Sequence, residues 1–75
     1  MLAFLLLVCE PGTEKELVKD LQHYEEITEM FVLYGEYDVV GKVEAPDLDR
    51  LNELIFEVRQ HRNIRMTRTL IVMEG

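Results

Sequence analysis

The sequence predicts a single α+β sandwich with the element order β-α-β-β-α-β. Two observations support this prediction. Apolar segments with the two-residue period of strands alternate with segments that have the apolar spacing of helices. Turn-forming residues, including Pro11, Gly12 and Gly35, stand where these segments meet. With 75 residues the chain forms one domain, residues 1–75, and its core is so small that oligomerisation is the expected source of additional stability.

The first half of the chain predicts a central strand, a helix and a second strand. Residues 2–10 are apolar on both faces, as in a strand that is covered on both sides. Thr13 and Glu16 have the spacing of a capping box, in which Thr13 caps the helix and Glu16 bonds back to the Thr13 backbone N–H. The apolar stripe of the helix consists of Leu17, Val18, Leu21 and Tyr24. The period of two that begins at Ile27 places Met30, Val32 and Tyr34 on one face of the next strand.

The second half of the chain predicts a third strand, a second helix and a last strand. Gly35 and Glu36 are expected to form the turn of a β-hairpin, and residues 37–45 return as the third strand. Asp47 is the predicted N-cap of the second helix. The apolar stripe of that helix consists of Leu48, Leu51, Leu54, Ile55 and Val58. Residues 64–73 form the last strand, in which one face carries Thr67, Thr69 and Ile71.

This element order determines a topology. Right-handed connections convert it into a ferredoxin-like sandwich with a four-stranded antiparallel sheet of order 4-1-3-2 and both helices on one face. The helices leave the other face of the sheet uncovered, yet the strands are apolar on both faces. We therefore expect that second face to be buried in a homodimer.

Charge and composition limit the classes of function. The chain carries 15 acidic and 8 basic residues, a net charge of −7, which disfavours direct binding to nucleic acid. Its apolar start is too short to cross a bilayer and lacks the basic residues of a signal peptide, so we expect a cytoplasmic protein without a membrane partner. Cys9 is the only cysteine, serine is absent, and the glycines form no phosphate-binding loop. We therefore expect no enzyme activity, no metal and no cofactor.

Polar residues are predicted to converge at one end of the sheet. The hairpin turn, the end of the first strand and the start of the last strand meet there in this topology. Asp38 can accept hydrogen bonds from an ammonium group, whereas the turn N–H groups and the hydroxyls of Thr67 and Thr69 can donate to a carboxylate. Strand parity predicts that all three side chains face away from the helices. A free amino acid needs this combination of acceptor and donors.

Each of these residues also has a purely structural interpretation, which the sequence leaves open. Asp38 is equally explained as a turn residue that bonds to nearby backbone. Thr67 and Thr69 are explained by the strand propensity of threonine. Tyr34 and Tyr37 flank the predicted turn, and both are explained as residues that pack against neighbouring side chains.

The chain resembles the effector domain of the leucine-responsive regulator family (Lrp/AsnC), also called the RAM domain, from Leu2 to Met73. The resemblance rests on the strand that ends in Pro11-Gly12, the Gly-x-x-Asp motif of Gly35 to Asp38, and the Thr67-Arg68-Thr69 strand. It implies prokaryotic transcription regulators that dimerise through their sheets, assemble commonly as an octamer of four dimers, and bind amino acids between dimers. The site residues that it implies are Tyr34, Gly35, Glu36, Tyr37, Asp38, Thr67 and Thr69. Family regulators carry an N-terminal helix-turn-helix domain, whereas this chain starts at the first strand of the effector domain.

The leading interpretation is a non-enzymatic amino-acid-binding module that oligomerises and modulates transcription through full-length regulators of the same family. Two alternatives share the predicted topology. A small enzyme of the dimeric α+β-barrel kind would need a polar cluster in an apolar pocket within one protomer. An ACT-type module would bind a similar class of ligand. The sequence identifies neither the amino acid nor the size of the assembly.

Overall fold

The computed structural model describes all 75 residues. It contains a four-stranded antiparallel sheet and two helices. The elements are β1 (Leu2–Cys9), α1 (Glu14–Leu21), β2 (Ile27–Val32), β3 (Val39–Glu44), α2 (Leu48–Val58) and β4 (Ile64–Ile71). The sheet order is β2-β3-β1-β4, which is the predicted order 4-1-3-2 read from the other edge. The predicted fold class is therefore confirmed.

One face of the sheet carries the hydrophobic core. The odd-numbered residues of the central strand β1 are buried, and Leu5 and Leu7 lie opposite Gly41 and Val39 of β3. Both helices pack on this face, because their buried residues belong to the same cluster as those of β1. The helical contributors are Leu17, Leu21, Leu51, Leu54 and Val58. Removing these apolar side chains from water is the main stabilising term for the fold.

The opposite face of the sheet, which we call the open sheet face, is also apolar. Leu6 lies at its centre, opposite Val40 on one side and Arg68 on the other. The apolar residues of the open sheet face are Phe4, Leu6, Val8, Phe31, Val40, Met66 and Leu70. Phe31 is 56% exposed and Leu70 is 51% exposed, so no element of the chain covers this surface.

The two helices start differently. Asp47 caps α2 as predicted, since its carboxylate accepts a hydrogen bond from the Arg50 backbone N–H at 2.8 Å. The capping box predicted for α1 is wrong, because the Thr13 hydroxyl donates to the Glu10 carbonyl at 2.6 Å and caps no helical N–H. The Glu16 carboxylate does not bond back to Thr13 either, because it accepts hydrogen bonds from the side chains of Arg62 and Asn63 at 2.8 and 2.9 Å.

The connection between β2 and β3 is longer than the predicted turn. Six residues, 33–38, separate the two strands, and the Leu33 backbone N–H donates to the Asp38 carbonyl at 2.8 Å across its base. Gly35 has a φ of +150°, which the lack of a Cβ permits. The third strand therefore begins at Val39 rather than at residue 37, and the last strand ends at Ile71 rather than at residue 73.

The turn between α2 and β4 is tied to α1 by side chains. His61 Nε2 lies 2.8 Å from an oxygen of Asp20, and the Asn63 side-chain amide donates to Glu16 at 2.9 Å. The imidazole of His61 holds the pKa of Asp20 below its ordinary value, chiefly through this hydrogen bond. These contacts position the start of β4 beside the end of β1.

Neither helix combines the length and the apolar character that crossing a membrane requires.

Candidate ligand-binding site

Three parts of the chain meet at one end of the sheet, which we call the hairpin end. They are the loop of residues 33–38, the end of β1 and the start of β4. The Asp38 backbone N–H donates to the Leu7 carbonyl at 2.8 Å, which ties the loop to β1. The Glu10 backbone N–H donates to the Asn63 carbonyl at 2.8 Å, which ties β1 to the turn before β4. Backbone hydrogen bonds therefore join the three parts of the hairpin end.

Asp38 is anchored at this end by one of its two carboxylate oxygens. Its Oδ2 accepts a hydrogen bond from the Cys9 backbone N–H at 2.8 Å, whereas Oδ1 accepts no hydrogen bond from an N–H or hydroxyl group of the chain. The β1–β4 pairing shifts register between Val8 and Cys9, just where β1 leaves the ladder. The carboxylate thus continues the hydrogen bonding between β1 and β3 by one more position. This is the local backbone role that the sequence left open for Asp38.

The Cys9 thiol lies beside this carboxylate. Burial raises the pKa of Cys9 above its ordinary value. The charges of the Asp38 and Glu14 carboxylates and the closeness of the thiol to the Asp38 carboxylate raise it further. The neighbouring Thr13 side chain acts in the opposite direction, but its effect is smaller than that of burial. Cys9 is 3% exposed, so this thiol belongs to the core.

The loop offers backbone donors next to the anchored carboxylate. The N–H groups of its four central residues donate no hydrogen bond within the chain; these are Tyr34, Gly35, Glu36 and Tyr37. Tyr34 is 97% exposed, and Tyr37 is half-buried. Because Tyr34 is almost fully exposed, the packing role considered for it does not hold within one protomer. Neither phenol hydroxyl hydrogen bonds to another residue of the chain. Donors and one free acceptor oxygen therefore share the hairpin end.

The structure corrects the placement of Thr67 and Thr69. They were expected to face away from the helices, but they lie opposite Leu7 and Leu5 of β1, whose side chains form the core beneath the helices. Directly opposed residues share a face, so both threonines are on the helix side of the sheet. The error arose because register with β1, which period alone does not specify, decides the face of a strand.

The threonines are also separated from the loop across the sheet. β1 lies between β3 and β4, so Thr67 is two strand spacings, about 10 Å, from the line of Asp38 and Val39. Within one protomer the structure brings Tyr34 to Asp38 together and leaves Thr67 and Thr69 apart from them. Thr67 instead lines a groove of about 410 Å³ with Arg59, Ile64, Arg65 and Met66.

Sequence reasoning missed this groove. Arg59 follows the end of α2 and Arg65 lies at the start of β4, and the turn between these elements brings them together. The clustering of arginines between Arg50 and Arg68 is the only signal of it in the sequence. The other depression, of about 570 Å³, follows the exposed face of α2 and is lined by Asp49, Asn52, Glu53, Phe56 and Glu57.

Comparison with known proteins identifies the family. A model of the Lrp/AsnC ligand binding domain matches residues 2–75. The HTH-type transcriptional regulator FL11 of Pyrococcus abyssi is 32% identical over 74 residues, which make up 99% of this chain and 49% of that regulator. The chain thus spans about half the length of the curated relatives it matches. A shorter match covers 64% of this chain but only 10% of homocitrate synthase from Saccharolobus islandicus, so it transfers nothing of that enzyme's activity.

Solved structures give the same result. A hypothetical protein from Pyrococcus horikoshii is 39% identical with a TM-score of 0.91, and the match covers 99% of this chain and 90% of that one. A transcriptional regulator from Neisseria meningitidis, solved as a complex with L-Met, matches with a TM-score of 0.87 over 97% of this chain and 49% of its own. At 16% identity that second likeness shows the fold alone.

The fold defines the class of protein, a ferredoxin-like α+β domain with two helices on one face of an antiparallel sheet. The match over residues 2–75 then settles the family: this chain belongs to the Lrp/AsnC ligand binding domains. The relatives that it matches over nearly its whole length are transcriptional regulators rather than enzymes.

Proposed function

We propose that this domain is an effector module that binds a free amino acid at the hairpin end and modulates transcription through DNA-binding regulators of the same family. One observation carries the proposal. The anchored Asp38 carboxylate keeps one oxygen free beside four consecutive backbone N–H groups that have no partner in the chain. An acceptor next to a set of donors is what the ammonium and carboxylate of an amino acid require.

Asp38 Oδ1 would accept from the ligand's ammonium group, directly or through a water molecule. The N–H groups of Gly35 and Glu36 would donate to the ligand's carboxylate. Thr67 and Thr69 can contribute hydroxyls only from a neighbouring subunit, because β1 separates them from the loop within a protomer. The site in this proposal is therefore completed by assembly, with the exposed Tyr34 ring as a wall against the next subunit.

The open sheet face supports the assembly half of the proposal. Its apolar side chains form one contiguous surface across four strands, which is unusual for a monomer. A second copy would cover it with an identical surface, face to face, as in a two-fold homodimer. Higher assembly, with an octamer of four dimers favoured, would then bring hairpin ends of different dimers together.

The comparisons supply the regulatory half. The curated relatives that match nearly the whole chain are named transcriptional regulators, and the Neisseria protein with this fold was solved in complex with L-Met. A net charge of −7 argues that this domain itself does not hold DNA, so a partner with a DNA-binding domain would do so. A cytoplasmic setting fits the unpaired, buried thiol of Cys9.

Native mass spectrometry with a panel of the twenty amino acids tests this function. We expect an assembly of at least two subunits, and a mass shift with one or a few amino acids. Calorimetric titration of the best ligand should then give a binding constant that Asp38→Asn weakens. A folded monomer, or an assembly that binds none of the twenty, would contradict the proposal.

A further inference from the structure

His61, in the turn between α2 and β4, forms hydrogen bonds through both nitrogens of its imidazole ring. Its Nε2 lies 2.8 Å from Oδ2 of Asp20 on α1, and its Nδ1 accepts a hydrogen bond from the Asn63 backbone N–H at 3.1 Å. A backbone N–H can only donate, so Nδ1 carries no proton in this arrangement. The ring is therefore a neutral imidazole whose proton lies on Nε2 and is donated to Asp20.

The Asn63 backbone N–H depends on this imidazole. Asn63 is 8% exposed, and its N–H donates to no acceptor other than Nδ1 of His61. Two of its other polar groups are used as well. Its side-chain amide donates to Glu16 at 2.9 Å, and its carbonyl accepts from the Glu10 backbone N–H at 2.8 Å. Asn63 thus joins the turn to α1 through its side chain and to the end of β1 through its carbonyl.

Protonation would act on the two nitrogens of the ring in opposite ways. A proton on Nδ1 makes this atom a donor, so it can no longer accept from the Asn63 N–H, and a buried N–H without an acceptor is unfavourable. The hydrogen bond from Nε2 to Asp20 remains and becomes a charge pair. A hydrogen bond with His61 is the main cause of the lowered pKa of Asp20, which agrees with this contact. Acid would therefore release the Asn63 N–H while the ring stays on α1.

We propose that His61 and Asn63 form a pH-sensitive switch, in which neutral imidazole holds the turn before β4 in place and imidazolium releases it. Because the Asn63 carbonyl holds the Glu10 N–H, release of the turn also loosens the end of β1. Histidine is the side chain that ordinarily changes its charge between about pH 5 and 8, so the switch operates within the physiological range.

The surroundings of His61 contain one other histidine. The titratable and charged residues around the turn are Asp20 and Glu16 from α1, His23 from the segment after α1, Arg59 and Arg62 from the chain around the turn, Glu10 after β1 and Arg65 in β4. Asp20 favours the imidazolium, whereas Arg62, which would disfavour it, is paired with Glu16 at 2.8 Å. His23 is exposed and forms no hydrogen bond, so it supplies a matched control.

NMR spectroscopy of isotope-labelled protein tests the switch. The scalar coupling between the Asn63 amide nitrogen and His61 Nδ1 is transmitted only through their hydrogen bond, so it should be present at about pH 8 and lost at about pH 5. Protection of the Asn63 N–H against hydrogen exchange, corrected for the intrinsic exchange rate, should fall by roughly tenfold over the same range. The Glu10 amide resonance should shift with the same midpoint.

Two variants and a control assign these changes to His61. Asp20→Asn keeps an acceptor for the Nε2 proton but removes the charge that favours imidazolium, so the loss of the coupling should move to lower pH. His61→Gln should abolish the shift of the Glu10 amide resonance in this range. His23→Gln should leave the coupling and the Glu10 shift as they are in wild type.

A coupling that persists in acid, or one that is absent at every pH, would overturn the proposal. A Glu10 shift that survives in His61→Gln, or that disappears in His23→Gln, would overturn it as well. These measurements use the protein without a ligand, so their outcome is independent of whether an amino acid binds at the hairpin end.

Discussion

Asp38 Oδ2 accepts a hydrogen bond from the Cys9 backbone N–H at 2.8 Å, and 29 residues of chain separate these two residues. The bond joins the hairpin loop to the last residue of the central strand. It fixes the orientation of the carboxylate, because one oxygen is held by backbone while the other stays free. A ligand at Oδ1 would therefore meet an acceptor that is already ordered, and ordering it would cost little on binding.

Substitutions at Asp38 separate its structural role from its binding role. Asp38→Ala removes the acceptor of the Cys9 N–H and should lower the free energy of unfolding by about 1–3 kcal/mol. Asp38→Asn keeps an acceptor oxygen but loses the charge, so it should cost less than Asp38→Ala. Both variants should bind an amino acid roughly tenfold to a hundredfold more weakly. Urea unfolding and calorimetry measure the two effects. If both variants were as stable as wild type, the hydrogen bond to Cys9 would contribute nothing to the free energy of unfolding.

A charge on the open sheet face should dissociate the assembly. Leu6 lies at the centre of that face, so Leu6→Glu would bury a carboxylate against an apolar partner surface, which is strongly unfavourable. Sedimentation velocity at micromolar concentration should show a folded monomer. Phe56→Glu is the control, because Phe56 is 66% exposed on α2 and makes no part of the open sheet face. Dissociation by both substitutions would place the interface elsewhere.

Stability should fall in acid through Glu26. The Arg50 guanidinium, 2.5 Å away, holds the pKa of Glu26 below its ordinary value. Since the folded-state pKa is lowered, the pairing stabilises the fold at pH values above the ordinary pKa of a glutamate, and this stabilisation is lost as the pH falls through the folded-state pKa. Glu26→Gln should therefore be less stable than wild type at pH 7, and the difference should disappear in strong acid.

Chemical denaturation at several pH values measures this difference. Glu25→Gln serves as the control, because Glu25 is exposed and forms no ion pair. Its stability should follow wild type at every pH. A difference between Glu26→Gln and wild type that persists in strong acid would assign the effect to something other than the ionised pair.

Substitution by alanine at two glycines, Gly41 and Gly12, should change the free energy of unfolding in opposite directions. A Cβ at Gly41 would lie 3.6 Å from Met30 Cε and 3.7 Å from Ile27 Cγ2, which are ordinary contacts, so Gly41→Ala should stabilise by roughly 0.4–1 kcal/mol. Gly12 has a φ of +85°, so Gly12→Ala should destabilise by about 1–2 kcal/mol. Thermal unfolding of the two variants checks both signs. A lower melting temperature for Gly41→Ala would show that the Met30 side chain cannot move aside.

The isolated domain should not bind duplex DNA at physiological salt. Its net charge of −7 repels phosphate, and its unpaired arginines lie on separate surfaces, Arg59 in the groove beside the start of β4 and Arg68 on the open sheet face. Even non-specific basic proteins bind with dissociation constants of about 10⁻⁴–10⁻⁶ M. Gel-shift assays should therefore show free DNA at micromolar protein. Salt-sensitive binding in that range would contradict the prediction.

The features that sequence reasoning predicted correctly are those that depend on neighbours along the chain. Alternation of apolar residues predicted the two faces of β2, and Asp47 was recognised as the cap of α2. The capping box predicted at Thr13 does not form, although the spacing of Thr13 and Glu16 fits the motif. The Glu10 carbonyl takes the Thr13 hydroxyl, and residues 46 and 47 positions away in sequence take the Glu16 carboxylate. Propensity rules do not include such competitors.

The same distinction applies to the candidate site, where the sequence indicated the parts that depend on adjacent residues but not those that depend on strand pairing. The Gly35 to Asp38 segment was found from the sequence because a turn and its polar residues are adjacent in the chain. The position of Thr67 and Thr69 was not, because their face depends on pairing with Leu7 and Leu5, about sixty residues earlier. The groove of about 410 Å³ beside β4 was missed for a similar reason: Arg59 and Arg65 belong to different parts of the chain, and only the turn between α2 and β4 makes them neighbours.

The sequence by itself determined the element order, the topology of the sheet, the two-sided apolar character of its strands and the family. These follow from periodicity, from handed connections and from a short motif, all of which are local or combinatorial. Tertiary structure alone decided which oxygen of Asp38 the Cys9 N–H holds, which face of the sheet carries Thr67, and which residues line the groove beside β4. Those outcomes depend on strand register and on competition between distant hydrogen-bonding groups, and a one-residue change in register would reverse them.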